Sequence, residues 1–377
     1  MRAYKFRLYP SKKQEEMLKH HLWIKKGLWN NLLQKTKEKY EKEQKFLTIN
    51  EMAELVKGTE LYSQTAQSVF RDLDKSLKAK IRAKKKGQKW GFPRFKSFDG
   101  VKSIHYPQSG FSLGEKLKVS SFGEIPIVRH RVIKGKIKTL TLKRESSGKW
   151  FAIFCVEEEP QTPKMNKGPS IGLDLGLNKL ATLSDGKIIE NPHQFKKFED
   201  KLAQVQRILS RRRKGSHNRF KSKKKVALVH ETIANIRSDY LHKSANWLLS
   251  HYSKIVMEDL RIREMSEDGH GKGIHDASWG LFTNMLCYKA ESAGSEIVFV
   301  NPKDTSKECS GCHSLTEKSL WERTHVCPAC GLILDRDINA AINILTRATA
   351  GMAGSNACGD GIAIPSLKQE AHAFRRG

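Results

Sequence analysis

Residues 171–176 read Ile171-Gly172-Leu173-Asp174-Leu175-Gly176, an apolar run of strand length broken by one carboxylate. Burying a charge in such a run is expensive unless a cation or hydrogen bonds compensate it. Two further acids sit in comparable places. Glu258 ends the apolar run Ile255-Val256-Met257, and Asp337, within Asp335-Arg336-Asp337-Ile338-Asn339-Ala340-Ala341, stands where a loop turns into a helix. Taken singly, each has an ordinary explanation as a turn former after a strand or as a helix N-cap.

Together they occupy a first strand, a later strand and the start of a final helix, the order in which ribonuclease-H-type folds assemble a metal site. Three carboxylates in a dry cleft repel one another, and divalent cations relieve that repulsion. Two hard ions about 3.5–4 Å apart could activate a water and stabilise the leaving oxygen of a phosphodiester. Magnesium suits oxygen ligands of this kind.

Between the second and third acids lie Cys309-Ser310-Gly311-Cys312 and Cys327-Pro328-Ala329-Cys330, with fourteen residues between the two pairs. Each Cys-x-x-Cys turn points two sulfurs at one centre, so the spacing predicts a zinc ribbon with a closed tetrahedral shell and a structural ion. The remaining thiols, Cys155, Cys287 and Cys358, are isolated and are expected to be packing residues. An odd total of seven cysteines argues against a disulfide framework.

The 377 residues carry 69 basic and 40 acidic side chains, a net charge of +29. Such an excess, spread along the chain, favours a polyanion, and nucleic acid over a membrane surface. No apolar run reaches the 18 residues of a membrane-spanning helix, and the start shows no export signal, so the expected setting is cytosolic. Lysines 78, 80, 84, 85, 86 and 89 with Arg82 lead into Trp90, Phe92, Arg94, Phe95, Lys96 and Phe98. Cations interleaved with rings suit a groove that holds phosphates and stacks bases. A second basic run, Arg211-Arg212-Arg213-Lys214, sits at the predicted turn of a helical hairpin over about 194–250.

Organisation follows from periodicity. Tyr4, Phe6 and Leu8 alternate with Lys5 and Arg7 as in a strand with one wet face. A capping box at Ser11 and Gln14 starts a helix, and further helix is expected over 50–82. Residues 101–160 read as short strands of a small antiparallel barrel or sandwich that could include the first strand. A proline-bracketed linker at 160–169 precedes alternating strands and helices, with a final helix at 339–346.

The stretches KFRLYP (5–10), GFPRFKS (91–97), IGLDLGLNKLATLSDG (171–186), LSRRRKGS (209–216), IVMEDL (255–260), CSGC, CPAC and LDRDINAAINIL (334–345) together resemble the TnpB proteins of insertion sequences. The similarity spans nearly the whole chain with the motifs in order. It implies an α/β multidomain protein with four parts. These are a β-barrel wedge domain (1–9 and 100–165), a helical recognition domain (10–99), a ribonuclease-H-like RuvC nuclease domain (166–302 and 334–377), and a zinc ribbon (303–333) inserted in it that binds target nucleic acid.

Carried over by motif, Asp174, Glu258 and Asp337 are the catalytic acids and magnesium ligands, with manganese able to substitute. Cys309, Cys312, Cys327 and Cys330 bind zinc. Asp337 is preferred to Asp335 for its place in Asp-x-Asn-Ala-Ala, and Glu258 to Asp259 because adjacent strand residues face opposite sides. The implied partners are a guide RNA transcribed near the gene, lying in a basic channel between domains, and double-stranded target DNA. The implied nucleic-acid contacts are Lys84, Lys85, Lys86, Lys89, Trp90, Phe92, Arg94, Phe95, Lys96, Arg211, Arg212, Arg213 and Lys214.

Three alternatives compete. A strand-transferring transposase shares the acidic triad, but the ribbon before the third acid counts against it. An actin-like kinase shares Ile-Gly-x-Asp-x-Gly but lacks a second phosphate loop here. A nuclease-inactive RNA-guided repressor would be expected to lose triad acids, and all three are present.

Overall fold

The computed structural model describes residues 1–88, 91–158, 165–191, 194–260, 278–319 and 321–349. Lys89, Trp90, Cys358 and the tail after 349 lie outside them. The chain divides into two compact units, Met1–Pro160 and Gln161–Gly377.

In the first unit β1 (Arg2–Leu8) is followed by three helices, α1 (Lys12–Glu43), α2 (Ile49–Leu55) and α3 (Ser63–Lys85). Six strands complete it: β2 (Ser103–Tyr106), β3 (Phe111–Leu113), β4 (Lys116–Val119), β5 (Gly123–Val128), β6 (Lys136–Arg144) and β7 (Trp150–Glu157). The sheet order is β2-β6-β7-β1-β5-β4-β3, so the first strand lies in the middle, antiparallel to β7 and β5. Tyr4, Phe6 and Leu8 are buried, while Lys5 on the opposite face lies 4.2 Å above the Phe151 ring. The two edge strands β2 and β3 are consecutive in the chain, and the Tyr106 hydroxyl donates to the Ser120 carbonyl at 3.2 Å. The sheet is therefore nearly closed into a barrel, which leaves little exposed edge.

The helices pack on their own core of Leu28, Trp29, Leu32, Leu33, Met52, Val69, Phe70 and Leu73. Ser11 and Gln14 form the expected capping box, and the Gln14 amide also donates to the carbonyls of Phe122 and Glu124, fixing the helix start on the sheet. The helix expected over 50–82 is two helices. Gly58, at φ +71°, turns the chain after α2, a conformation costly for other residues.

The second unit holds β8 (Ser170–Leu175), β9 (Lys179–Leu183), β10 (Ile188–Glu190), α4 (Gln194–Ser210), α5 (His217–His251), β11 (Lys254–Glu258), α6 (Trp279–Ala293) and β12 (Glu296–Val300). A short hairpin of β13 (Thr324–Val326) and β14 (Ile333–Asp335) leads into α7 (Arg336–Thr349). The five-stranded sheet runs β10-β9-β8-β11-β12: the first three form an antiparallel meander, and β11 and β12 run parallel to β8. The inner stretches of its central strands, Ile171 to Leu173 and Ile255 to Met257, are wholly apolar because both faces are covered. Leu241, Leu248, Phe282 and Met285 from α5 and α6 pack with Ile171, Leu173 and Ile255, while Ile344 of α7 packs with Val256, Val298 and Val300.

Gly172 lets α7 lie directly on β8: a Cβ there would stand 2.0 Å from the Ala341 carbonyl oxygen. Cys287, expected to be a plain packing thiol, is disulfide-bonded. Among the described residues no helix is long and apolar enough to cross a membrane.

Candidate active site

Asp174 is the fifth residue of β8, opposite Thr182 of β9. On the other side of β8, Met257 pairs with Leu173, which sets Glu258 alongside Asp174 at the end of the parallel pair. The docking of α7 at Gly172 brings the helix start, and Asp337 in its first turn, to the same end. The three acids feel one another. The Asp174 carboxyl is held well above its ordinary 3.8, first by burial and then by the charges of Glu258 and Asp337, with Arg336 partly opposing. Burial also raises Glu258, against the Thr305 hydroxyl that donates to its Oε1 and the charge of Arg347.

The neighbouring acids are otherwise engaged. Asp335 caps α7, its Oδ1 accepting from the amides of Asp337 at 2.8 Å and Ile338 at 3.2 Å, and its Oδ2 lies 3.5 Å from Lys179 Nζ. The cap expected as the ordinary role for Asp337 therefore belongs to Asp335. Asp337 lies 3.9 Å from Arg323, and Asp259 is exposed.

Among the described residues, only the four ribbon cysteines bring one ligand atom each within 4.8 Å of all the others. The Sγ atoms of Cys309 and Cys330 are 3.6 Å apart and those of Cys312 and Cys327 3.5 Å. A tetrahedral zinc–thiolate shell at about 2.3 Å needs edges near 3.8 Å, so the set fits zinc. Two of the thiols are pushed in opposite directions. Ser314 and the amides of Cys330 and Ala329 pull the Cys327 thiol down to about 5. The Leu332 amide pulls on Cys330, but Cys312, burial and the other sulfurs outweigh it and push that thiol up to about 12. The acids do not gather as tightly as the thiols.

Of the basic residues singled out by sequence, Lys84, Lys85 and Lys86 lie exposed at the end of α3. Residues 92–96 are strapped to α1. Trp29 Nε1 donates to the Arg94 carbonyl at 3.2 Å, and Asn30 exchanges two hydrogen bonds with the Lys96 backbone. Lys96 Nζ lies 3.2 Å over the Trp29 ring, and Lys37 lies 4.7 Å over the exposed Phe95. Phe92 is not the free stacking ring expected: Tyr40 and Phe46 meet it edge-on and Lys80 sits 3.3 Å over its face. Arg94 is exposed, as are Arg211, Arg212, Arg213 and Lys214 at the tip between α4 and α5.

Sequence reasoning passed over Thr305, Asn343 and Arg347. For the two helix residues the signal was there: Asn339, Asn343 and Arg347 recur every four residues along α7, a polar ridge on a helix that otherwise buries Ala340, Ala341 and Ile344.

Comparison with known proteins agrees with this layout. Residues 153–268 match a family model described as "Probable transposase" (OrfB of IS605), 279–344 one described as "Cas12f1-like, TNB domain", and 1–45 a "Helix-turn-helix domain". That last stretch is here a strand and one long helix. The chain is 32% identical to the "Putative RNA-guided DNA endonuclease InsQ" of Escherichia coli (strain K12), over 98% of this chain and 97% of that one. It is 33% identical to a "Putative RNA-guided DNA endonuclease" of Streptomyces pristinaespiralis, over 96% and 92%. Among solved structures, a Cas12f1-sgRNA-target DNA complex superposes with a TM-score of 0.55 at 16% identity, over 89% of this chain and 83% of that one, a likeness of fold. With identity above 30% along nearly its full length, the chain belongs to the TnpB family, the OrfB proteins of IS605-type elements, related to Cas12f.

Proposed function

We propose that this chain is an RNA-guided, magnesium-dependent DNA endonuclease that cuts double-stranded DNA by phosphodiester hydrolysis. One observation carries the reading: the half-buried Asp174 stands beside Glu258 at the end of the β8–β11 pair, with Asp337 in the first turn of the helix docked on β8, and its carboxyl is raised first by desolvation and then by the charges of those two acids. Such a site holds like charges together at a cost, and that cost makes sense where a cation compensates it. The strand order β10-β9-β8-β11-β12 supports a ribonuclease-H-like (RuvC) reading of this sheet.

Asp174, Glu258 and Asp337 are the residues that would hold the cation. Magnesium bound there would activate the attacking water and stabilise the departing oxygen. The protein's own part is to hold the three carboxylates in place, and a bound cation would favour the ionised forms that the fold itself disfavours at Asp174 and Glu258. Arg336 and Arg323 beside them offer cations near an incoming phosphate. The ribbon thiolates are assigned a structural zinc. The exposed lysines and arginines of α3 and of the α4–α5 tip are assigned to RNA and DNA backbones, whose counterions they would release. The guide supplies sequence reading by base pairing, and the protein a short motif beside the target.

The test is to express the chain with its native flanking DNA, purify the bound RNA and challenge the complex with a matched target. Asp174→Ala should lower magnesium-dependent cleavage by roughly 1,000-fold or more, about 4 kcal/mol, and leave RNA-dependent DNA binding intact. Cleavage that persists in this variant rejects the site. Efficient joining of DNA ends without RNA rejects the function in favour of a strand-transferring transposase, the reading that the matched family description suggests.

A further inference from the structure

The segment that leads from β12 to the first zinc knuckle is held more firmly than a connection requires. The Thr305 carbonyl accepts from Asn343 Nδ2 at 2.9 Å. Glu308 O accepts from both Asn339 and Asn343 at 2.7 Å, and Asn339 Oδ1 accepts from the Ser310 amide at 2.9 Å. Arg347 donates to the carbonyls of Asn301 and Lys303 at 2.8 and 2.7 Å, and to Glu308 Oε2 at 2.8 Å. Asp304 adopts φ +60°, and its carbonyl accepts from the amides of Lys307 and Glu308, which tightens the turn around Thr305.

These bonds hold the backbone on both sides of one side chain, Thr305. Thr305 is 4% exposed, and its hydroxyl lies between Glu258 Oε1 and the Pro302 carbonyl, the latter at 3.1 Å. A hydroxyl has one proton to give, and an ionised carboxylate is the stronger acceptor, so Glu258 receives it.

We propose that Thr305 is a positioning residue for Glu258, its hydroxyl fixing the rotation of the carboxylate so that the second oxygen is left for a divalent cation. This rests on the assignment of Glu258 as a ligand. Helix α7 thus does two things: its first turn carries Asp337, and its polar ridge holds the segment that orients Glu258. Groups behind a ligand commonly tune cation affinity, which gives the proposal its expected size.

The experiment uses the zinc-loaded full chain titrated with Mn²⁺ by calorimetry, and its RNA complex assayed for cleavage across Mg²⁺ concentrations. Thr305→Val, which keeps shape and removes the donor, should raise the half-saturating cation concentration roughly 10-fold or more in both assays. Thr305→Ser should restore the original dependence, with zinc content unchanged in every variant. Thr305→Ala gives the same comparison where Val disturbs folding. Equal impairment of Ser and Val variants overturns the proposal, because packing and not the hydroxyl would then matter. So does an unaltered Thr305→Val beside a Glu258→Gln that has lost cation binding. If Glu258→Gln itself binds and cleaves normally, the assignment of Glu258 fails instead.

Discussion

The second unit holds two clusters of ligand-type side chains built in opposite ways. The four ribbon thiols lie within 4.8 Å of one another on two tight turns, with two of them buried and two at the surface. The three acids come from two strands and a helix, and Asp174 and Glu258 are half-buried at the strand ends. A closed, compact shell suits an ion that stays, and a wider set of repelling carboxylates suits ions that meet substrate. Stability should therefore depend on the first cluster and turnover on the second.

The largest effect tests that division directly. Removing zinc with a chelator, or Cys309→Ser, should unfold the ribbon, since structural zinc contributes on the order of 10 kcal/mol in small zinc-bound folds. Hydrogen exchange should show loss of protection over 305–335 while the five-stranded sheet stays protected. Loss of the whole second unit instead would merge the two clusters into one cooperative structure. Next in size is Gly172→Ala. Its Cβ would meet the Ala341 carbonyl oxygen, so α7 must lift from β8, at about 3 kcal/mol, and the urea midpoint should fall with it. Gly27, with open space at its Cβ in mid-α1, gives the opposite sign: Gly27→Ala should stabilise by about 0.5–1 kcal/mol.

The acids should also leave a signature in pH. Asp174 has a folded-state pKa raised above its unfolded value of 3.8, so the folded chain holds that proton more tightly. Its unfavourable contribution is absent below the unfolded pKa and grows as pH rises through the raised one. Metal-free protein should thus lose stability over that window, and Asp174→Asn should flatten the loss and remove the gain in melting temperature on adding magnesium. A pH profile identical in the two proteins would show that the carboxylates do not burden the fold.

How much of this could be read from residues alone depended on whether the signal was local. Cys-x-x-Cys turns, the Ser11–Gln14 cap and the apolar run around Asp174 are local, and all reappear as elements. The break after α2 was missed because helical periodicity continues across it. Phe92 was misjudged because a ring amid lysines looks the same in sequence whether it awaits a base or, as here, packs under Lys80. Thr305 was invisible: its partner Glu258 is 47 positions away, brought near only by the pairing of β11 with β12 and the turn at Asp304.

The central place of β1 has a consequence for synthesis. Its partner β7 ends at Glu157, so β1 waits for nearly the whole unit to leave the ribosome, about 10–30 s at ordinary elongation rates. The three helices encoded in between can coil during that interval, but Tyr4, Phe6 and Leu8 have nowhere to hide. Strand β1 is therefore the stretch of this unit most in need of a chaperone until β7 has been made.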